Sequence, residues 1–473
     1  MKTIIKYIIS ILILSVALFN NASAQQNLRT AYFLDGYTYN YKLNPAFAPE
    51  RSFFAFPLLG NVGIGIESNM GLSTFIYPTS DGKLTSFMNK SVEDELFLKK
   101  LRKLNKMNIS LNENLFAFGF RTGESYHTVD FSLKADVSAS VPKDLFSYIK
   151  VGGANGRESW DVSRTGFKMS SRLELAYGYS RPIADWVRVG ARVKLLFGMA
   201  HARMLIDDMN ITMNSEKWSV VSHGNAEISG PFNVGTVESD DNLDLDKIDM
   251  NGDVKEYLST PNIGAALDLG ATFDFLNYFT ASVSVLDLGF IGWNGTTTAV
   301  MPGGEWNFEG ISSEISGKGS VDEQLENLGK DFVKMFKIDK SGKIKRTNML
   351  AATIHAGIEA RMPFYERLIF GLLATQRIDG PFSWTEGRLS ANLAPVNWLS
   401  LAGSYAISNF GNSLGGVLNL HLRGFNLYVG MDSFLPLMKV TPQSVPVNNM
   451  NTNLTMGLTF TFGKPVGRYR TDK

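Results

Sequence analysis

Residues 172–199 alternate apolar and polar side chains with a period of two, and that rhythm limits the fold more than any other feature of the chain. Leu173, Leu175, Tyr177 and Tyr179 share one face, and Arg172, Glu174, Gly178 and Ser180 share the other. After a short turn at 181–185, Val187, Val189, Ala191, Val193, Leu195, Phe197 and Met199 alternate with Arg188, Gly190, Arg192, Lys194 and Gly198, and Leu196 breaks the rule. Successive strand side chains point to opposite faces at roughly 3.3 Å per residue, so the apolar face is more than about 20 Å tall. A soluble sandwich also alternates, apolar inside and polar outside, so the pattern alone does not say what the apolar face meets.

The rhythm of the connections does. The same alternation returns at 263–274, 354–362, 418–423 and 425–431, and the segments are joined in the order short, long, short, long. Short turns fall near 181–185, 275–277, 363–366, 395–396 and 423–424, and long connections at 200–261, 293–348 and 435–451. Membrane barrels have short turns at one end and long loops at the other; a sandwich has no reason to keep that order. Trp186, Phe275, Tyr278, Phe364, Tyr365 and Trp398 crowd the short turns, as an interfacial aromatic girdle would. The fold expected is all-β, a transmembrane antiparallel β-barrel of about 14 strands (range 12–16), with an N-terminal plug and long extracellular loops. The strands expected are 53–66, 115–122, 126–140, 168–180, 186–199, 262–274, 279–291, 349–362, 367–378, 385–394, 397–408, 415–423, 425–434 and 452–462. The stretch near 217–230 is expected to pair with 203–213 above the membrane.

The first residues read as an export signal: Lys2 and Lys6, an apolar run over 8–19, then Ala22-Ser23-Ala24 as a small-x-small cleavage site. The run is shorter than the roughly 20 residues a spanning helix needs. The division expected is 1–24 signal peptide, 25–52 hatch or plug, 53–462 outer-membrane barrel and 463–473 periplasmic tail. The chain has no Cys, which removes disulfides, thiolate metal sites and Cys nucleophiles. Lys plus Arg number 46 against 45 Asp plus Glu, without the concentrated basic face of a nucleic-acid binder.

In the last strand Leu454, Met456, Leu458, Phe460 and Phe462 face one way, resembling the signal read by barrel-assembly machinery. Leu43-Asn44-Pro45-Ala46 precedes the first strand at Phe53; Pro142-Lys143-Asp144-Leu145 and the pair Tyr177-Gly178-Tyr179 and Val189-Gly190-Ala191-Arg192-Val193-Lys194 follow. Together these resemble an uncharacterised outer-membrane barrel family of the Bacteroidota, itself similar to the long-chain fatty acid transporter barrels and to barrel subunits of type IX secretion. The resemblance implies that Asn44, Pro45 and Ala46 lie in a hatch inside the barrel. Read from the residues alone, Asn-Pro is equally a turn leading into the wall.

Arg188, Arg192, Lys194, Asp268, His355, Glu359 and Arg361 fall on the polar faces and are expected to line the lumen. On that reading Arg192→Ala inserts normally, whereas Val193→Arg, facing lipid, does not. Gly411-Asn412-Ser413-Leu414-Gly415 matches a nucleophile elbow, but no helix follows it. The acidic stretches 244–252 and 337–342 carry Lys247 and Lys337 where a calcium loop needs its first acid. His127, His201, His223, His355 and His421 lack ligand spacing. Ser320 with Glu323, and Ser91 with Asp94, open two amphipathic helical segments. No catalytic residue, cofactor or metal is expected. The partners expected are outer-membrane lipid, the barrel-assembly machinery, and either a hydrophobic or amphipathic small-molecule ligand or a secretion or surface protein; nucleic acid is not. Transport of such a molecule is the leading function, and a structural or partner-binding barrel the alternative.

Overall fold

Each polar and apolar alternation becomes one strand of a closed antiparallel wall. The computed structural model describes residues 27–57, 59–79, 84–151, 157–213, 218–231, 233–236, 243–249, 261–276, 278–301, 306–307, 336–339, 342–434 and 450–465. The expected signal peptide, the Ser320 helical segment and most of the tail lie outside them. In chain order the wall strands are β1 in two pieces (Ser52–Ala55 and Val62–Ser68), β2 (Leu104–Thr122), β3 (Ser125–Pro142), β4 (Gly166–Ala184) and β5 (Val187–Met213). Then come β6 (Asn262–Phe275), β7 (Phe279–Met301), β8 (Ala352–Met362), β9 (Tyr365–Ile378) and β10 (Trp384–Val396). The last four are β11 (Leu399–Ser408), β12 (Gly411–Leu422), β13 (Phe425–Met431) and β14 (Thr452–Phe462).

Neighbours in sequence pair throughout, and β1 closes the ring on β14 through Phe53↔Thr461 and Ile64↔Leu454. The result is a 14-stranded transmembrane antiparallel barrel. Closure leaves no unpaired strand edge, the condition for a sheet to stand in lipid. The aromatic residues of the short turns, Trp186, Phe275, Tyr278, Phe364, Tyr365 and Trp398, are all exposed.

Facing follows the period. On β5, Val193 is 61% exposed and Leu195 41%, while Arg192 is 5% and Lys194 2%. The exception, Leu196, faces inward and is buried against Ala266, Ile291 and Trp293. Val193→Arg would place a charge on the lipid face, costing about 2–4 kcal/mol near the midplane. We expect the variant to lose most of its heat-resistant folded band on gels when refolded into lipid vesicles, while Val193→Ala keeps it; equal yields would argue that this face does not meet lipid.

Several boundaries differ from the sequence expectation, among them the upper ends of β5 and β7, which run on to Met213 and Met301 instead of stopping at 199 and 291. Strand β2 starts at Leu104 rather than 115, because its inward positions are Asn108, Ser110, Asn112 and Asn114, residues that read as loop. Between Ala55 and Val62 the first strand is interrupted: Phe56 and Leu59 are exposed, while Asn61 is buried and accepts a bond from Asn114 N at 2.8 Å. Above the wall, the strand Trp218–Ser229 pairs with the upper part of β5 and with β7, extending the sheet at the long-loop end. The helix expected at Ser91 begins at Asp94 (Asp94–Leu98), and Leu104 opens β2 instead of continuing it. Its Phe97, with Leu101, joins Tyr77, Phe87, Val92 and Phe146 in a small apolar cluster. Among the described residues no helix is long and apolar enough to cross a membrane.

Candidate functional site: a filled lumen with a charged wall

A 14-stranded barrel is too wide for its own side chains to fill. Residues 27–51 fill it. Buried backbone must find hydrogen-bond partners, and this segment finds some of them within itself, in two 3-10 turns, Arg29–Ala31 and Thr38–Lys42. Tyr32, Phe33, Leu34, Tyr37, Tyr39, Tyr41, Leu43 and Phe47 are all buried.

The contacts trace its path. Arg29 lies near the long-loop end, against Glu67, Glu386 and Asp432. The chain descends to Gly36, whose carbonyl accepts from Asn426 Nδ2 at 2.9 Å, and Arg361 meets Asp35 at 3.4 Å near the short-turn end. It climbs again to Lys42, 3.1 Å from Asp130. It then falls past Pro49, whose carbonyl accepts from Arg121 at 3.1 Å, and enters β1.

The Asn-Pro-Ala segment sits at the second descent. Asn44 is fully buried. Its Oδ1 accepts from Ala46 N at 2.9 Å, and its Nδ2 donates toward the wall carbonyls of Val283 at 3.2 Å and Ala271 at 3.4 Å. An amide supplies donor and acceptor together, which a carboxylate could not. Pro45 has no N–H to leave unpaired when buried. The wall accommodates this turn with glycines. Gly190 and Gly270 are register partners on β5 and β6. A Cβ on Gly190 would lie 2.1 Å from Pro45 O, and one on Gly270 would lie 2.0 Å from Asn44 Oδ1. Phe33 uses a second notch: a Cβ on Gly371 would lie 2.1 Å from its ring.

Charged side chains hold the remainder in two clusters. Arg29 binds Glu67 at 2.5 Å and Glu386 at 3.0 Å, with its guanidinium 4.9 Å from the Trp384 ring centre. Asp432 accepts from the backbone N–H groups of Arg29 at 3.0 Å and Thr30 at 2.7 Å. Arg388 joins Glu386 at 2.9 Å and Thr30 Oγ1 at 3.0 Å.

The second cluster crosses β3 to β7. Arg192 bridges Asp130 at 2.8 Å and Asp268 at 3.0 Å, and lies 5.4 Å from the Tyr41 ring centre. Lys194 bridges Asp268 at 2.6 Å and Asp287 at 2.5 Å. Asp287 stands at a bulge in β7 with φ +58°, a conformation that non-glycine residues seldom adopt. Lys134 binds Glu174 at 2.9 Å, and Arg172 binds Glu174 at 2.9 Å and Asp136 at 3.4 Å.

The residues named from the sequence therefore fall at different places. Arg192, Lys194 and Asp268 share the second cluster. His355 is buried, bonded to Thr375 Oγ1 at 2.9 Å and beside the Tyr32 ring. Glu359 is buried on the inner face of β8. Arg188 is partly buried near the short-turn end, bonded to Ser180 at 3.0 Å and to the carbonyl of Glu124 at 3.3 Å. Arg192, whose replacement by Ala is expected to leave insertion normal, is surrounded by packed protein and two carboxylates. Ser413 lies within β12, paired with Ala406, and forms no elbow. Sequence reasoning missed Arg29, Lys42, Asp130, Glu386, Arg388 and Asp432, because each is an unremarkable charge until the plug and wall are superposed. The surplus of glycine at inward strand positions was the available signal.

A family model described as a family of unknown function, DUF5723, matches residues 45–432. No curated protein matches the chain. Among solved structures the chain is similar to the P. putida toluene transporter TodX, at 9% identity and a TM-score of 0.40 over 94% of this chain and 99% of that one. It is also similar to the Ralstonia pickettii toluene transporter TbuX (9%, 0.39, 94% and 96%) and to a Pseudomonas aeruginosa FadL homologue (10%, 0.38, 93% and 99%).

Proposed function

The chain belongs to DUF5723, a family of unknown function, and we propose that it is an outer-membrane transport barrel passing a small hydrophobic or amphipathic molecule through a lumen closed by residues 27–51. One observation carries this reading. Within the described residues, 27–51 fill the lumen yet pair with no wall strand. They are held by side-chain bonds, ion pairs and glycine notches, so they can shift without breaking the ladder that seals the barrel against lipid. The polar inner wall favours the amphipathic end of that range. The test is flux. Proteoliposomes carrying the full chain should take up a short alkyl carboxylate or an alkyl glycoside faster than vesicles holding a barrel with the plug tethered to the wall by an engineered disulfide. Equal rates would count against transport.

A second reading, a structural barrel that holds a secretion or surface protein, draws on the rim. The upper ends of β5 and β7 and the strand Trp218–Ser229 rise beyond the ring and bury Ile206, Met209, Ile211, Ala226, Ala299 and Met301 with Tyr148 and Trp160. Such a platform suits a partner better than a pore does. Crosslinking from rim positions in intact cells, with recovery of one stoichiometric protein and no flux in vesicles, would favour it.

A further inference from the structure

The lumen beyond the plug is a charged chamber. A cavity of about 50 Å³ opens above Leu43, and a second of about 30 Å³ continues it toward the long-loop end. The two share Asp136, Arg172 and Arg377. Four cations line the first cavity, Arg29, Lys134, Arg172 and Arg377, against two acids, Asp136 and Asp287. Behind the lining, Glu174 holds Lys134 and Arg172 at 2.9 Å, and Glu67 and Glu386 hold Arg29 at 2.5 and 3.0 Å, which leaves Arg377 the least engaged of the four.

The cations are not equally engaged. Arg192, below the cavity, holds its carboxylates at 2.8 and 3.0 Å. Arg172 and Arg377 reach Asp136 only at 3.4 and 3.5 Å. Charge-assisted bonds between guanidinium and carboxylate close to about 2.7–2.9 Å when geometry allows. Arg172 also holds Glu174 at 2.9 Å through Nε, so the loosely held fork is that of Arg377, able to grip an anion through two parallel N–H groups. Beside them, Ser110 Oγ and Asn112 Oδ1 are buried, face the same cavity and have no hydrogen-bond partner among the described residues. Buried polar atoms without partners are uncommon and call for an occupant.

We propose that this chamber binds an anionic head group, a carboxylate or phosphate, gripped by the Arg377 guanidinium with Arg172 and Lys134 beside it and with Ser110 Oγ donating to it. The proposal names the head group of what is carried and so rests on the transport reading. Binding and flux are measured separately, so either can fail alone.

The probes are succinate, inorganic phosphate, octanoate and glucose, titrated calorimetrically into the full-length barrel in nanodiscs. Succinate or phosphate should bind, with affinity falling as salt rises, and glucose should not. The tighter of the two anions distinguishes carboxylate from phosphate recognition. Arg377→Gln should weaken binding by about tenfold or more. Asp136→Asn should strengthen it, because it frees the Arg377 guanidinium and removes a competing negative charge; a merely structural role for Asp136 predicts loss instead. Both variants are checked for the heat-resistant folded band. The proposal is overturned if neither anion binds, if Arg377→Gln leaves affinity unchanged in a folded barrel, or if octanoate binds well above succinate in both forms, which would mark an apolar site. Anion binding without flux would leave the chamber assigned and transport refuted.

Discussion

Removal of residues 25–50, with the export signal kept, is expected to turn a closed barrel into a conducting one. The wall ladder runs from Ser52 to Phe462 and takes no backbone pairing from the plug, so the shortened chain should still insert and show the heat-resistant band. What disappears is the packing of Tyr32, Phe33, Tyr39, Tyr41 and Phe47, and with it the seal. Two cations, Arg29 and Lys42, and two acids, Asp35 and Glu50, leave together, so the deletion does not change the net charge and its effect is the loss of the seal. Planar-bilayer recordings read it as a steady conductance absent from the full chain. Gly270→Leu offers the same result without a deletion, since its side chain would occupy the place of Asn44 Oδ1. A shortened barrel as tight as the full one would refute the plug, and residues 25–50 would then be better read as a docking tail.

Legibility divided along physical lines. The outward faces of β4 to β7 could be read from Leu175, Val193, Leu195 and Leu269, because contact with lipid demands an unbroken apolar row. Strand β2 could not, because its inner face meets a polar plug and is built from Asn and Ser, the same residues that make loops. Asn44, Pro45 and Ala46 were legible as a unit, since each answers a local need of a buried turn. Their partners Gly190 and Gly270 were not: a glycine in a strand says that something comes close, but not what. Least legible were the ion pairs. Arg192 and Asp130 are 62 residues apart, and Arg192 and Asp268 are 76 apart. Strand order alone could have placed Asp268 beside Arg192, but Asp287 reaches Lys194 only through a bulge that no local pattern announces. The sequence therefore specified the wall and hinted at the plug, and the chemistry that joins them emerged from three-dimensional register.

The strongest single substitution should be Arg192→Met. Methionine approximates the length of the aliphatic stem and keeps the packing, so the loss is electrical. Asp268 would retain Lys194 at 2.6 Å and Asp130 would retain Lys42 at 3.1 Å, but each would lose its guanidinium, and Tyr41 its cation. Deleting one partner of a buried ion pair costs about 3–5 kcal/mol, and here two carboxylates each lose one of their two cations in a packed site. Denaturant titrations of folding into lipid vesicles, followed by tryptophan fluorescence, should show a loss of that size. Arg192→Lys should recover only part of it, since one ammonium cannot bridge two carboxylates as a planar fork does. Adding Asp268→Asn to Arg192→Met should return some stability, giving a favourable coupling in a double-mutant cycle. If Arg192→Met costs less than about 1 kcal/mol, the value typical of exposed pairs, the lumen is wet rather than packed. Lys42 would then be free to leave Asp130 in the resting state, and the plug would be a loosely seated segment instead of a locked one.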